Sequence, residues 1–98
     1  MFNNPANRCI MKGYLVTDIQ PYQDTDYAIT FDIKVERPHQ AGKPNYTDTF
    51  TVYVADKQNV NNCKAYLTKG MSVSVKGEMR VWNDGAMKLC ANTVTHIW

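Results

Sequence analysis

The sequence predicts an all-β protein of five strands with one helix, which lies between the third and fourth strands. Three stretches alternate apolar and polar residues with the period of a β-strand, and these are Tyr27–Val35, Thr47–Val54 and Met71–Val81. A single stretch, beginning at Asp56, repeats its apolar residues with helical spacing instead. These two kinds of periodicity, in this order, are the basis of the predicted fold class.

The first and last strands are predicted from apolar runs and turn residues. Arg8–Val16 is a short apolar run, and the glycine in its middle, Gly13, suggests a bent or bulged strand. Asn83–Ala86 contains the Asp-Gly pair that is typical of a hairpin turn, and Met87–Ile97 follows it as the final strand.

The helix is predicted from its ends as well as from its spacing. Asp56 is a suitable N-cap, apolar residues recur at i, i+3 and i+7 from Val60, and Lys69–Gly70 provides a C-terminal cap. The stretches Thr17–Asp26 and Arg37–Asn45 are polar and contain prolines, so we expect both to be loops.

The resulting order is strand, strand, strand, helix, strand, strand. This is the order of the five-stranded Greek-key barrel called the OB-fold. With 98 residues, the chain has the length of one domain, and we expect residues 1–98 to form a single OB-fold domain whose ordered barrel covers about 7–98.

Charge and cysteine content limit the classes of function. The net charge is only +2, so a nucleic-acid site must come from basic residues placed on one face, not from a global excess. The cysteines Cys9, Cys63 and Cys90 are widely spaced and do not match a zinc site, so we expect small buried side chains in a reducing cytoplasm. No apolar run is long enough for a signal peptide or a membrane span.

Nothing in the sequence predicts catalysis or a cofactor. The two histidines, His39 and His96, are far apart, and the carboxylates are scattered without acid–base spacing. A glycine-rich phosphate loop is absent from the sequence as well. We therefore expect a binding protein that is not an enzyme and needs no cofactor or metal.

An ordered set of short motifs resembles the bacterial single-stranded DNA-binding protein family. The set consists of Met11-x-Gly-x-Leu15 with Asp18, Ile29-Thr-Phe-x-Ile33 ending near Arg37, Tyr66-Leu-x-Lys-Gly70, and Val73-x-Val-x-Gly77-x-x-Arg80. No single motif is very specific, but the set spans roughly residues 7 to 98 in order and with few gaps.

The resemblance implies an OB-fold that binds single-stranded DNA without strong sequence specificity in replication, recombination or repair. It also implies a homo-oligomer, a dimer or tetramer, because the first strand would leave an edge that needs a partner. The chain ends at Trp98 without the flexible region and acidic tip of the family, as expected of a trimmed chain or a tail-less relative. The alternative is an adaptor resembling the primosomal protein PriB, which would bind replication proteins as well as DNA.

Two aromatic residues are the candidates for base stacking. Trp82 ends a strand at a polar turn, where burial is hard to arrange. It also matches a stacking position of the family. The alternative is that it packs at the barrel rim. Phe50 also matches a family aromatic position, but its parity allows either stacking or the core. Tyr53 has the opposite parity and cannot point the same way as Phe50.

Basic residues near these aromatics are the candidates for phosphate contacts. The full predicted DNA-binding set is Lys34, Arg37, Lys43, Phe50, Lys76, Arg80 and Trp82. The alternative for each cation is a solvated surface charge, which is what we expect for the lysines of the helix.

Overall fold

The computed structural model describes residues 7–24, 27–37, 41–42, 44 and 46–97. Within these ranges it contains six strands, one α-helix and a short 3-10 turn. They are β1 (Cys9–Leu15), β2 (Gln20–Pro21), the 3-10 turn (Tyr22–Asp24), β3 (Ile29–Glu36), β4 (Thr47–Val54), α1 (Lys57–Tyr66), β5 (Ser72–Val81) and β6 (Met87–Ile97).

The strands form one closed barrel. Their order in the sheet is β1-β5-β6-β4-β3-β2, and β1 also pairs with β3 through Tyr14 and Leu15. This last pairing joins β1, at one end of the sheet, to β3, so that five strands enclose a core and β2 remains at the edge. The predicted OB-fold is confirmed.

The helix follows the fourth strand of the structure, whereas the sequence predicted it after the third. It lies between β4 and β5, after the fourth strand instead of the third, because the predicted loop Thr17–Asp26 itself forms the two-residue strand β2. Gln20 and Pro21 pair with Thr30 and Ile29 at the edge of the barrel. Counted without β2, the order of elements is the one predicted.

The helix begins where the sequence predicts and ends earlier. The carboxylate of Asp56 accepts a hydrogen bond of 3.1 Å from the backbone N–H of Asn59, so Asp56 is the N-cap. The last helical residue is Tyr66, because Leu67 is already extended and its side chain is buried. Gly70, with a φ of +96°, then turns the chain into β5.

The core consists of the inward-facing residues of the strands and two turns of the helix. β3 and β4 contribute alternate residues, as their sequence pattern predicts, and Phe31 is among the most buried side chains. The buried core residues are Leu15, Ile29, Phe31, Ile33, Val52, Val54, Val60, Cys63, Leu67, Val73, Val75, Leu89 and Ala91. The three cysteines are unpaired. Cys63 and Cys90 are buried as expected, whereas Cys9 is only half-buried.

Two glycines permit the close approach of strands where the barrel bends. At Gly13, β1 passes from β5 towards β3, and a Cβ there would collide with the backbone carbonyl of Lys34. At Gly77, a Cβ would collide with the carbonyl of Cys90 on β6. Next to Gly77 the register shifts and leaves Asn92 as a bulged residue in β6.

Candidate nucleic-acid interface

Four neighbouring strands place polar and charged side chains in one row on the outside of the barrel. The register aligns Arg80 of β5 with Lys88 of β6, Lys88 with Thr51 of β4, and Thr51 with Asp32 of β3. The Thr51 hydroxyl donates a hydrogen bond of 2.8 Å to the Asp32 carboxylate. The row is therefore cationic on the β5–β6 side and anionic on the β3 side.

Beside this row lie three aromatic rings, Tyr22, Tyr53 and Trp82, which we call the aromatic cluster. The ring of Tyr53 lies 5.0 Å from that of Tyr22 and 5.3 Å from that of Trp82, both in edge-to-face arrangements. The indole N–H of Trp82 donates a hydrogen bond of 2.7 Å to the Tyr22 hydroxyl. All three side chains are half-buried, so part of each ring is open to solvent.

Each ring of the aromatic cluster comes from a different part of the chain. Tyr22 belongs to the 3-10 turn in the connection between β1 and β3, Tyr53 to the outer face of β4, and Trp82 to the β5–β6 hairpin. In an OB-fold, nucleic acid binds against the second and third barrel strands, between the loops that join strands one to two and four to five. The aromatic cluster lies where those parts meet.

The hairpin turn holds Trp82 at the end of β5. Its backbone N–H donates to the carbonyl of Ala86 over 2.7 Å, and the backbone N–H of Gly85 donates to the carbonyl of Trp82 over 2.9 Å. Gly85 has a φ of +88°, and the Asp84 side chain accepts a hydrogen bond from the N–H of Ala86. The Asn-Asp-Gly turn predicted from the sequence therefore holds the backbone of Trp82 in place at the end of β5.

A lysine covers part of the Trp82 ring. The Nζ of Lys88 lies 4.5 Å from the centroid of the indole, within the range of a cation–π interaction. Lys88 is half-buried and lies opposite Arg80 across the hairpin.

A buried carboxylate holds Arg80. The side chain of Glu78 is only 4% exposed, and its Oε2 accepts hydrogen bonds of 2.7 Å and 3.1 Å from the Arg80 guanidinium. The Arg80 side chain is 54% exposed, so its charge remains accessible from solvent. Sequence alternation places Glu78 on the solvent-facing side of β5, but Glu78 is covered there, and pairing with Arg80 offsets the cost of its burial.

Burial also affects the ionisable groups next to the aromatic cluster. It raises the pKa of the Tyr53 hydroxyl and that of the Cys90 thiol above their ordinary values. Both groups are therefore neutral at physiological pH, and the charged groups near the rings are Lys88 and the Arg80–Glu78 pair.

The remaining predicted cations lie apart from the aromatic cluster. Lys34 lies on the outer face of β3, between Tyr14 of β1 and Thr49 of β4. Lys76 is exposed on β5, before the bulge, and four residues from Arg80. Lys43 lies outside the described residues.

Arg37 is tied to a neighbouring strand. Its guanidinium makes hydrogen bonds of 2.8 Å and 2.7 Å to both carboxylate oxygens of Asp48, and it lies 5.8 Å from the centroid of the Tyr46 ring. These hydrogen bonds raise the pKa of Arg37 and lower the pKa of Asp48. The Arg37 side chain is 58% exposed and that of Asp48 39%, so the pair is open to a competing phosphate.

Phe50 and Tyr53 point to opposite sides of β4, as their parity predicts. Phe50 is half-buried and packs against the core, whereas Tyr53 belongs to the aromatic cluster. Of the predicted residues, the structure thus brings Arg80 and Trp82 together and places Phe50 on the inner side.

Sequence reasoning missed three residues of this surface, Tyr22, Tyr53 and Lys88. The parity of β4 and the pairing of Lys88 with Arg80 across the predicted turn were signals for the last two. Tyr22 lies in a polar stretch predicted as a loop, where no periodicity indicates its direction.

The model of the single-strand binding protein family matches residues 6–96 of the chain. The chain belongs to this family. This match confirms the resemblance found in the sequence. A search of the curated proteins found no match to the chain.

Solved structures share the fold at low sequence identity. The small single-stranded DNA-binding protein of Streptomyces coelicolor superposes with a TM-score of 0.76 at 20% identity, covering 92% of this chain and 91% of that one. The Plasmodium falciparum SSB, in complex with single-stranded DNA, gives 0.75 at 21% identity over 100% of both chains. The dimeric N-terminal domain of PriB from Thermoanaerobacter tencongensis gives 0.68 at 16%, covering 95% of this chain and 98% of that one.

Two further features are absent from the described part of the chain. No helix there is long and apolar enough to cross a membrane. Nor do three or more histidine, cysteine, aspartate or glutamate side chains come together there in a group able to hold a metal ion.

Proposed function

We propose that the chain binds single-stranded DNA by stacking bases on the aromatic cluster and pairing phosphates with the cations beside it. Membership of the single-strand binding protein family establishes the ligand class. The PriB-like alternative has no better support, since the PriB domain superposes with the lower TM-score.

The observation on which this proposal rests is the contact of Trp82 with Tyr53 on one side and with Lys88, at the cationic end of the outer row, on the other. Partly open aromatic rings give bases flat surfaces, and stacking contributes about 1–3 kcal/mol per base. Arg80 and Lys88 lie within the same surface and supply positive charge for the phosphates.

The charges of the outer row orient the strand. Phosphates are attracted to Arg80 and Lys88 and repelled by Asp32 at the other end of the row. We therefore place the sugar–phosphate backbone over β5 and β6 and the bases over β4. Lys76 would extend this phosphate path along β5. Lys34, Arg37 and Lys43 remain proposed contacts for a further part of the strand, and Phe50 would support β4 from the inner side.

Stacking explains binding without strong sequence specificity, because every base has a π-face. A duplex would be a poor ligand, since its bases are already stacked on one another. We propose that the chain acts by binding alone, without catalysis, in replication, recombination or repair.

Titration of tryptophan fluorescence with oligo-dT tests the proposal. In a Trp98→Phe background Trp82 is the remaining tryptophan of the two in the sequence, and we expect its emission to be quenched as bases stack. The apparent affinity should fall steeply as salt is added. Unchanged Trp82 emission on saturation, or equal affinity for a duplex of the same length, would contradict the proposal.

We also propose a homo-oligomer, a dimer or tetramer. Within the described residues, the edge of β1 opposite β5 pairs with β3 only at Tyr14 and Leu15, and Gly13 packs closely against Lys34, which leaves Cys9–Lys12 available to another chain. The superposed PriB domain is itself described as dimeric. Light scattering that gave a monomeric mass at micromolar concentration would contradict this proposal.

The cellular setting is a further proposal. The three unpaired thiols fit a reducing compartment such as the cytoplasm. Replication or recombination proteins are the partners that we expect there.

A further inference from the structure

Lys88 occupies a face of the ring on which a base is expected to stack. Its Nζ is 4.5 Å from the Trp82 centroid, which is close to the distance at which a stacked base would lie. A base and an ammonium group cannot share the same ring face. Either the base uses the opposite face, or Lys88 moves.

The contacts of Trp82 restrict rotation of the ring. Its N–H is bonded to the Tyr22 hydroxyl over 2.7 Å, and the ring of Tyr53 packs against it in an edge-to-face contact. Turning the indole over would break the hydrogen bond to Tyr22 and the edge-to-face contact with Tyr53. Moving Lys88 breaks the cation–π contact with Trp82 and, among the described residues, no hydrogen bond.

Lys88 also has fewer contacts than its neighbour across the hairpin. Two hydrogen bonds to a buried carboxylate hold Arg80, whereas Lys88 has no hydrogen bond or ion pair within the described part of the chain. The flexible lysine stem allows its ammonium group to leave the ring while the backbone of β6 stays in place.

We propose that Lys88 is a displaceable cap on Trp82, which moves from the ring to a DNA phosphate when a base stacks. The inference rests on the proposed function and names the regulation of the same site. Arg80 is then a fixed phosphate contact and Lys88 a movable one. In the free protein, Lys88 covers part of one face of the indole and keeps a cation beside it.

This exchange has a measurable dependence on salt. At low salt the phosphate contact of Lys88 outweighs the lost cation–π contact, because a single-strand phosphate contact adds about 0.7 to the slope of log affinity against log salt. Near molar salt the phosphate contact contributes little to affinity, whereas loss of the cation–π contact between Lys88 and Trp82 still opposes binding. Lys88 therefore favours binding at low salt and opposes it at high salt.

Variants at position 88 test the inference. We expect Lys88→Ala to bind oligo-dT more weakly than the wild type at low salt, but about two- to fivefold more tightly near molar salt. Lys88→Arg should keep the slope and weaken binding at high salt, because a guanidinium stacks more firmly on the indole. Lys57→Ala is the control, because it also removes one positive charge, but from the exposed start of α1. It should leave the salt slope and the affinity at high salt unchanged.

Nuclear magnetic resonance of the lysine ε-methylene group gives a second, independent measurement. In the free protein the Lys88 signal should be shifted upfield by the ring current of Trp82, and Trp82→Leu should abolish that shift. Saturation with oligo-dT should also abolish it.

The outcomes separate this inference from the proposed function. Weaker binding of Lys88→Ala at every salt concentration would contradict the displacement of Lys88 from Trp82. Persistence of the upfield shift in the saturated complex would contradict it as well. Neither result would contradict the proposed DNA binding. If oligo-dT does not change the emission of Trp82 at all, the result contradicts the proposed function itself, and with it the inference about Lys88.

Discussion

The indole N–H of Trp82 donates a 2.7 Å hydrogen bond to the hydroxyl of Tyr22, although the two residues are 60 positions apart in the chain. Trp82 lies on the β5–β6 hairpin and Tyr22 in the connection between β1 and β3. The hydrogen bond thus joins the two loops between which an OB-fold binds nucleic acid. It fixes the direction of the ring that we propose for stacking.

Tyr22→Phe should weaken both the fold and DNA binding, because the Trp82 N–H loses its acceptor. We expect the free energy of unfolding to fall by about 0.5–1.5 kcal/mol. Affinity for oligo-dT should fall with no change in salt slope. Urea denaturation and fluorescence titration measure the two effects, and Tyr27→Phe, an exposed tyrosine of the same connection, is the control. If both tyrosine variants behave alike, the hydrogen bond does not position the ring.

Trp82→Ala should mainly lower the affinity for DNA, whereas Phe50→Ala should mainly lower the stability of the fold. Trp82→Ala should weaken binding by about 1–3 kcal/mol with the salt slope retained. Phe50 packs against the core, so Phe50→Ala should instead lower the free energy of unfolding by about 3 kcal/mol, the lower end of the range for a buried phenylalanine. Melting temperature and affinity are measured on both variants. A stable Phe50→Ala variant with greatly reduced affinity would show that Phe50 stacks on a base.

Arg37→Gln should reduce the salt slope by about 0.7 if Arg37 contacts a phosphate. Asp48 holds the guanidinium through two hydrogen bonds, so Asp48→Asn should release it and raise affinity at low salt. In the double variant the Asp48 substitution should have no further effect. An unchanged slope in Arg37→Gln would mean that the pair only braces the ends of β3 and β4.

Stability should fall at alkaline pH through Cys63. Burial raises the pKa of this thiol from 9.0 to about 11, so above pH 9.0 the unfolded chain loses the proton while the folded chain keeps it. The contribution is complete below pH 9.0 and is lost as the pH rises towards about 11. The free energy of unfolding, measured by urea at several pH values, should therefore fall more steeply in the wild type than in Cys63→Ala. Parallel pH dependence in the two proteins would contradict this.

Local patterns in the sequence determined most of the elements. The alternation of β3 and β4, the N-cap at Asp56 and the turn at Asp84–Gly85 each depend on residues only a few positions apart. Such patterns specify which side of a strand faces inward, so the opposite directions of Phe50 and Tyr53 were also predictable. The early end of the helix was not, because Leu67 leaves the helix to reach the core.

The site itself was decided by the closure of the barrel. Tyr22 meets Tyr53 and Trp82 only because β2 pairs with β3 and the β5–β6 hairpin lies beside β4, and these are contacts between distant parts of the chain. The burial of Glu78 also depends on tertiary contacts, since its alternation placed it on the solvent side. Period-two patterning specifies a face of a strand, whereas which side chains share a face across strands depends on register and barrel closure, which are tertiary properties.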